Sequence, residues 1–184
     1  GAMAISDHNT IEGSLNAVKL SSRDLIILSS MEISSADGHI IALGVLETIA
    51  RDLSAKDTVD RIHEKGGIAI AAHPYDTFRS GVNDLCWKLD FDAIEINGHC
   101  LYGNSKAVSV AKKHGKPLVG GSDAHSLSGI GAISTEVGGA DAKGILKNIK
   151  TGNCKPVYLR DKLTLKAAIL TDKVSRRYDL GKRL

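Results

Sequence analysis

Aromatic residues are scarce in this chain: Phe, Tyr and Trp together make up 4% of its 184 residues. That shortage counts against a surface that binds RNA by stacking bases on aromatic rings. The three cysteines, Cys86, Cys100 and Cys154, form no Cys-x-x-Cys pair. Their odd number suits a reducing compartment, so the expected location is the cytoplasm. No apolar run is long enough to cross a membrane, and no signal-peptide pattern is visible. The net charge of +3 is too small to argue by itself for nucleic acid or membrane as a partner. What remains is ordinary for a globular protein: 42% hydrophobic and 24% charged residues. The length suits one domain. Gly1-Ala2-Met3 reads as a cloning scar, which leaves residues 4–184 as a single expected domain.

The chain is organised around Gly120-Gly121-Ser122-Asp123-Ala124-His125. The apolar pair Leu118-Val119 precedes it, so a buried strand ends at two glycines and is followed by an acid and a histidine two residues apart. In extended or tightly turned backbone that spacing puts both side chains on one side. A carboxylate and an imidazole held together suit a divalent metal or proton transfer. A turn with a capped helix is the plainer alternative for this stretch alone.

The rest of the chain alternates strands and helices. Ala4-Ile5-Ser6 ends a strand with Asp7-His8 at its tip, and Asn9-Thr10 can cap a helix from about Ile11 to Leu20. Leu25 to Leu28 is a wholly apolar strand, and Met31 to Ser34 continues it. Asp37-Gly38 marks a turn before a strand from His39 to Gly44. Ser54 to Lys65 is a helix closed by Gly66-Gly67. Ile68 to Ala72 is a strand ending at His73-Pro74. Residues 76 to 90 form a loop with a short helix around Leu85-Cys86-Trp87, and Ala93 to Ile96 is a strand before Asn97-Gly98-His99. Asn104 to His114 is a helix. A strand through Ile133 to Val137, a helix from Asp141 to Lys150, a strand at Val157-Tyr158-Leu159 and a final helix from Leu163 to Arg177 complete the series. The order predicts an α/β fold built from crossover units.

Polar residues collect at the ends of these strands. His8, Glu32, His73, His99, Asp123 and His125 all follow or end an apolar strand; His39 opens one instead. In parallel α/β barrels active sites sit at the C-terminal strand ends, so the groups can converge. Imidazoles mixed with carboxylates suit zinc, manganese or iron better than calcium or magnesium, and a cluster this large can hold more than one ion. Each residue also has a plain structural alternative. His8 can belong to a capped turn, and His73 can be a hydrogen-bonded core histidine. Glu32 inside an apolar run is costly unless paired or ligated. His63, mid-helix, and His114, at a helix end where a cation complements the dipole, read as structural.

Ala4-Ile5-Ser6-Asp7-His8-Asn9-Thr10, Glu32-Ile33-Ser34, His39 before Ile41-Ala42-Leu43-Gly44, Ala71-Ala72-His73-Pro74, Ile94-Glu95-Ile96 and Gly121-Ser122-Asp123-Ala124-His125 occur in the order that resembles the PHP (polymerase and histidinol phosphatase) family. The resemblance spans roughly residues 4 to 137. It implies a distorted TIM-like barrel of seven β/α units, up to three divalent metals, and phosphoester hydrolysis by a metal-activated hydroxide. It carries metal-ligand roles onto His8, Glu32, His73, Asp123 and His125, and less sharply onto His39 and His99. The family opens with a His-x-His strand that has no counterpart here. The expected barrel therefore lacks its first strand and holds fewer metals, and it can be inactive by itself. An unpaired edge at Ala4-Ile5-Ser6 is expected to pair with a second copy, giving a homodimer.

The expected function is a metal-dependent phosphoesterase acting on a phosphorylated small molecule, a nucleotide or an oligonucleotide end. Nucleic acid enters only as substrate, and no membrane is involved. Asp123 and His125 are the candidate reacting groups. Arg79, in the loop after His73, is the candidate phosphate clamp; a solvated loop arginine is its plain alternative. The competing readings are a non-catalytic regulatory or RNA-associated barrel and a metal-dependent amidohydrolase.

Overall fold

The computed structural model describes residues 1–100 and 102–158. Its strands and helices alternate in the order β1 (Ala2–Ala4), α1 (Glu12–Val18), β2 (Ile26–Leu28), β3 (Ser30–Ser35), β4 (Gly38–Leu43), α2 (Ala55–Glu64), β5 (Ile68–Ala71), α3 (Leu85–Lys88), β6 (Ala93–Asn97), α4 (Asn104–His114), β7 (Leu118–Gly121), β8 (Ile133–Val137), α5 (Ala142–Lys150) and β9 (Cys154–Tyr158). The helix expected over Leu163 to Arg177, and Leu159 of the last expected strand, lie outside the described residues.

The helices have local causes. Ser54 accepts a hydrogen bond from the Asp57 backbone N–H at 3.1 Å and caps α2, and Asp141 accepts from the Gly144 N–H at 2.7 Å and caps α5. Gly115, with φ of 65°, closes α4 in the left-handed conformation. The cap expected from Asn9-Thr10 on α1 is different. Asn9 instead accepts from the Ser34 N–H at 2.8 Å and donates to the Ser34 hydroxyl at 3.1 Å, so it fastens the N-terminal segment to β3.

The strands form three sheets among the described residues. β1 pairs with β2 in parallel, β3 to β7 form a five-stranded sheet in chain order, and β8 pairs with β9 antiparallel. The expected crossover units account for only part of the five-stranded sheet. β4 is antiparallel to both β3 and β5; Ala36-Asp37 between Ser35 and Gly38 forms the tight hairpin turn that reverses it against β3. β5, β6 and β7 are parallel. No closed ring of strands is present among the described residues, so the architecture is a mixed α/β fold rather than a complete barrel. Ala2 and Met3, set apart above as a cloning scar, are themselves strand residues: Ala2, Met3 and Ala4 pair with Ile26, Ile27 and Leu28. The edge expected at Ala4-Ile5-Ser6 is thus partly paired, and an isolated parallel bridge from His8 to Glu32 links the next residues to β3.

The alternation of side chains along the five-stranded sheet separates two cores. Ile40, Ala42, Ala69, Ala71, Ile94 and Ile96 face one way, in a cluster that also holds Val59 and Ile62 of α2 and Ala107 and Ala111 of α4. Leu43, Ile68, Ile70, Ala93 and Val119 face the other way and pack with Ile145 and Ile149 of α5. That second face is apolar at one end only. At the end marked by the tips of β3, β5, β6 and β7 the apolar side chains give way to carboxylates, amides and imidazoles.

Candidate metal centre

Reversal of β4 explains the placement of His39. Residue Ser34 near the end of β3 pairs with His39 at the start of β4, and Ile40 pairs with Ala71 at the end of β5. The first residues of β4 therefore lie at the same edge as the last residues of its neighbours. What looked like an exception in sequence is at the same end as the other groups.

His8, Glu32 and His39 offer ligand atoms that all lie within 4.8 Å of one another. His39 Nδ1 is 2.8 Å from Glu32 Oε1, but it is not aligned as a hydrogen bond and makes none among the described residues. His73 Nε2 lies 3.2 Å from the same carboxylate oxygen, while its Nδ1 is buried without a partner among the described residues. The imidazole rings run in sequence: His8 to His39 is 5.1 Å between centroids and His39 to His73 is 5.3 Å. Burial works against the charge on Glu32, but the contacts from His39 and His73 outweigh it and hold its carboxyl far below the usual range. Burial also opposes the charge on His73, yet Glu32 and Glu95 leave its pKa raised.

A second group adjoins the first. The His73 backbone N–H donates to Glu95 Oε2 at 2.9 Å, Asn97 Nδ2 donates to the same oxygen at 2.9 Å, and Asn97 Nδ2 reaches Asp123 Oδ2 at 3.0 Å. These successive contacts put His73 and Asp123 in one polar network. Arg79 pairs with Asp123 through Nη2 and reaches Asn97 Oδ1 through Nη1 at 3.4 Å. His125 Nδ1 donates to its neighbour's backbone, the Asp123 carbonyl, at 2.9 Å, and its ring lies 5.5 Å from that of His99. Burial, then the Arg79 charge, pushes the His99 pKa down.

Backbone conformation helps to aim these groups. His73 has φ of 30° and Asp123 has φ of 49°, both in the left-handed region where a side chain costs about 1–3 kcal/mol unless its surroundings fix it. Gly121 is required by close approach: a Cβ there would stand 2.1 Å from Glu95 Oε1. At Gly120 a Cβ would stand 2.3 Å from the Ser134 carbonyl oxygen, where β8 crosses and Thr135 Oγ1 bonds both the N–H and the carbonyl of Gly120.

Two residues of this network were not among the sequence candidates. Glu95 is wholly buried, and burial pushes its carboxyl up to about 7 against the hydrogen bond from Asn97. Asn97, 1% exposed, joins Glu95, Asp123 and Arg79. The signal for Glu95 was present: it sits inside an apolar strand, as Glu32 does. Among the predicted residues, His8 and His125 are exposed and lie at the rim, whereas Glu32 and His73 are buried.

A donor set of imidazole nitrogens and a carboxylate oxygen, with a buried nitrogen left without a hydrogen bond beside that oxygen, fits a divalent metal ion. His8, Glu32 and His39 are the residues that can hold it, with His73 adjacent.

Residues 102–154 match the model of a family described as PHP-associated. Together with the shared fold, that match supports a PHP family assignment. Two uncharacterized proteins of Methanocaldococcus jannaschii resemble this chain. One is 38% identical over 95 residues, which cover 51% of this chain and 56% of that protein; the other is 28% identical over 138 residues, 70% of this chain and 54% of that protein. The chain thus spans about half the length of the curated relatives it matches. Among solved structures, PsfC of Pseudomonas syringae shares the fold with a TM-score of 0.70 at 16% identity, over 95% of this chain and 83% of PsfC. A two-domain protein of Bacteroides vulgatus, described as containing a predicted PHP-like metal-dependent phosphoesterase, matches with a TM-score of 0.69 at 14% identity, over 85% of this chain and 55% of that one. No helix among the described residues is long and apolar enough to cross a membrane.

Proposed function

We propose that this PHP chain contributes the centre of a metal-dependent phosphoesterase acting on a phosphorylated small molecule, a nucleotide or an oligonucleotide end. The observation that carries the reading is the adjacency of two unlike groups at one strand edge. One is the nitrogen and oxygen donor set of His8, Glu32 and His39; the other is Arg79 beside Asp123 and Asn97. Phosphoryl chemistry needs both a site for a divalent ion and fixed positive charge facing the phosphate oxygens. A bound ion supplies Lewis acidity and lowers the pKa of a coordinated water.

The chain's own residues do the remaining work. Glu32 stays ionised, so the donor set is negative enough to hold a cation. Arg79 turns the N–H groups not used by Asp123 and Asn97 toward the phosphate oxygens and orients them. The leaving oxygen needs a proton when its bond to phosphorus breaks. His125 sits at the rim with Nδ1 donating to a backbone carbonyl, which leaves Nε2 as the ring atom free to carry the proton for that transfer. His99 lies across from it.

The distorted seven-unit barrel belongs to the same proposal. The His8–Glu32 bridge carries strand pairing from the first small sheet to the five-stranded one, and Thr135 ties β7 to the β8–β9 hairpin. Both links run in the direction a barrel needs.

Within the substrate set, one observation favours a nucleotide. Phe78 and Tyr102, 85% and 79% exposed, line a cavity together with His99. Phe78 precedes Arg79 in the chain, and the two exposed rings offer a surface on which a base can stack.

Phosphate release from a panel of phosphomonoesters, compared with turnover of amide substrates in the presence of manganese or zinc, tests the proposal. Phosphate release is the expected result. Turnover of amides without phosphate release would replace it with the amidohydrolase reading, and turnover of neither would favour a non-catalytic role.

A further inference from the structure

The two halves of the centre differ in how their polar atoms are satisfied. In the half formed by His8, Glu32, His39 and His73, two buried imidazole nitrogens, Nδ1 of His39 and Nδ1 of His73, make no hydrogen bond among the described residues. Buried polar atoms without partners cost free energy, and a cation bound at Glu32 relieves that cost for a nitrogen that ligates it. In the half around Asp123, one carboxylate oxygen is fully engaged by fixed donors. Asp123 Oδ2 accepts from Arg79 Nη2 and from Asn97 Nδ2, Arg79 Nη1 reaches Asn97 Oδ1, and Asn97 Nδ2 also donates to Glu95 Oε2. Asp123 Oδ1 faces His125 Nδ1 at 3.6 Å. The Arg79 side chain is 20% exposed and that of Asp123 is 13% exposed, so water screens their attraction only partly.

We infer that Arg79 is a built-in cation of this centre: it neutralises Asp123 where a second metal would otherwise do so, and the chain holds one divalent ion, at His8, Glu32 and His39. This rests on the metal-dependent reading above. A guanidinium is charged at every working pH and its planar fork matches a carboxylate. Here Nη2 holds Asp123 and Nη1 reaches Asn97, so a divalent ion at Asp123 would have to displace the guanidinium or lie against it, and like charges at that distance repel. The donors that hold Asp123 are an arginine and an amide, neither of which can ligate a metal through those nitrogens. The result is a centre with one exchangeable positive charge and one fixed positive charge, placed so that a phosphate can lie between them. The carboxylate most suggestive of a ligand in sequence then acts by holding Arg79.

Equilibrium dialysis of the metal-free 184-residue chain against manganese, with bound metal quantified and folding followed by circular dichroism, tests this without any activity measurement. The wild-type chain is expected to bind one equivalent. Arg79→Gln, which removes the charge and keeps much of the side chain's bulk, is expected to take up a second equivalent at the same free manganese concentration. Arg79→Lys, which keeps the charge, is expected to remain at one and controls for a general loosening of the loop. Two or more equivalents in the wild type, or an unchanged single equivalent in a folded Arg79→Gln, would overturn the inference. So would a second ion in Arg79→Lys equal to that in Arg79→Gln. A wild-type chain that binds no manganese would overturn the metal-dependent reading itself, and the inference with it.

Discussion

At the scale of single residues, Glu32 is the group on which the centre depends. It is buried, it touches His39 and His73, and it stays ionised although burial opposes its charge. A carboxylate in that position is stable only while cations or N–H groups face it. Asp123 has a different function in the same network, because it holds the guanidinium of Arg79. Asp123→Asn keeps the volume and removes the charge. It is expected to lower phosphate release by about 10²–10³-fold, the usual loss when one preorganised electrostatic group is removed, while leaving the bound manganese at one equivalent. Loss of manganese in that variant would make Asp123 a ligand instead. Phe78→Ala is expected to raise KM for a nucleoside monophosphate by about tenfold, since one stacked base is worth about 1–3 kcal/mol. The KM for ribose 5-phosphate is expected to stay the same. Equal changes for the two substrates would remove the stacking role.

At the scale of elements, much was legible in the sequence and one property was not. The apolar strands with polar tips could be read directly, because burial on both faces demands continuous apolar runs and chemistry at the tip interrupts them. Asn104 to His114 could be read to the residue, since Gly115 supplies the left-handed stop. The direction of β4 was missed. Strand direction is a property of pairing between segments, and it is weakly encoded in either strand alone. Asp37-Gly38 was read as a turn, yet a turn this short also forces the strands it joins to run antiparallel. That one inference would have put His39 at the polar edge. Glu95 and Asn97 were missed for another reason: their partners come from β5, β7 and the loops, which only the folded chain assembles. The two glycines ending β7 have separate tasks. Gly120→Ala would place a Cβ against the rigid backbone of Ser134, whereas Gly121→Ala would press on the Glu95 carboxylate. Gly120→Ala is expected to cost about 1–3 kcal/mol of stability, as overpacking does, measured by urea unfolding. An unchanged midpoint would mean that β8 does not cross β7 as described.

At the scale of the whole molecule, the sheet separates an apolar end from a polar end on one face. α5 packs against the apolar end through Ile145 and Ile149, so the strands are fixed there and their opposite tips can hold functional groups. Ile145→Ala is expected to cost about 2–5 kcal/mol, as truncation of a buried aliphatic side chain does. A cost under 1 kcal/mol would show that α5 is peripheral. Metal binding should report on the other end of the same face. A ligand that binds only the folded state stabilises it by about 2.7 kcal/mol at a hundred times its Kd. Manganese is therefore expected to raise the melting temperature of the wild-type chain. The most direct test of the centre is a calorimetric titration of manganese into the metal-free wild-type chain and into Glu32→Gln. The expected result is a single binding event in the wild type, weakened at least tenfold in Glu32→Gln. Equal binding by the two chains would contradict a metal centre built on His8, Glu32 and His39.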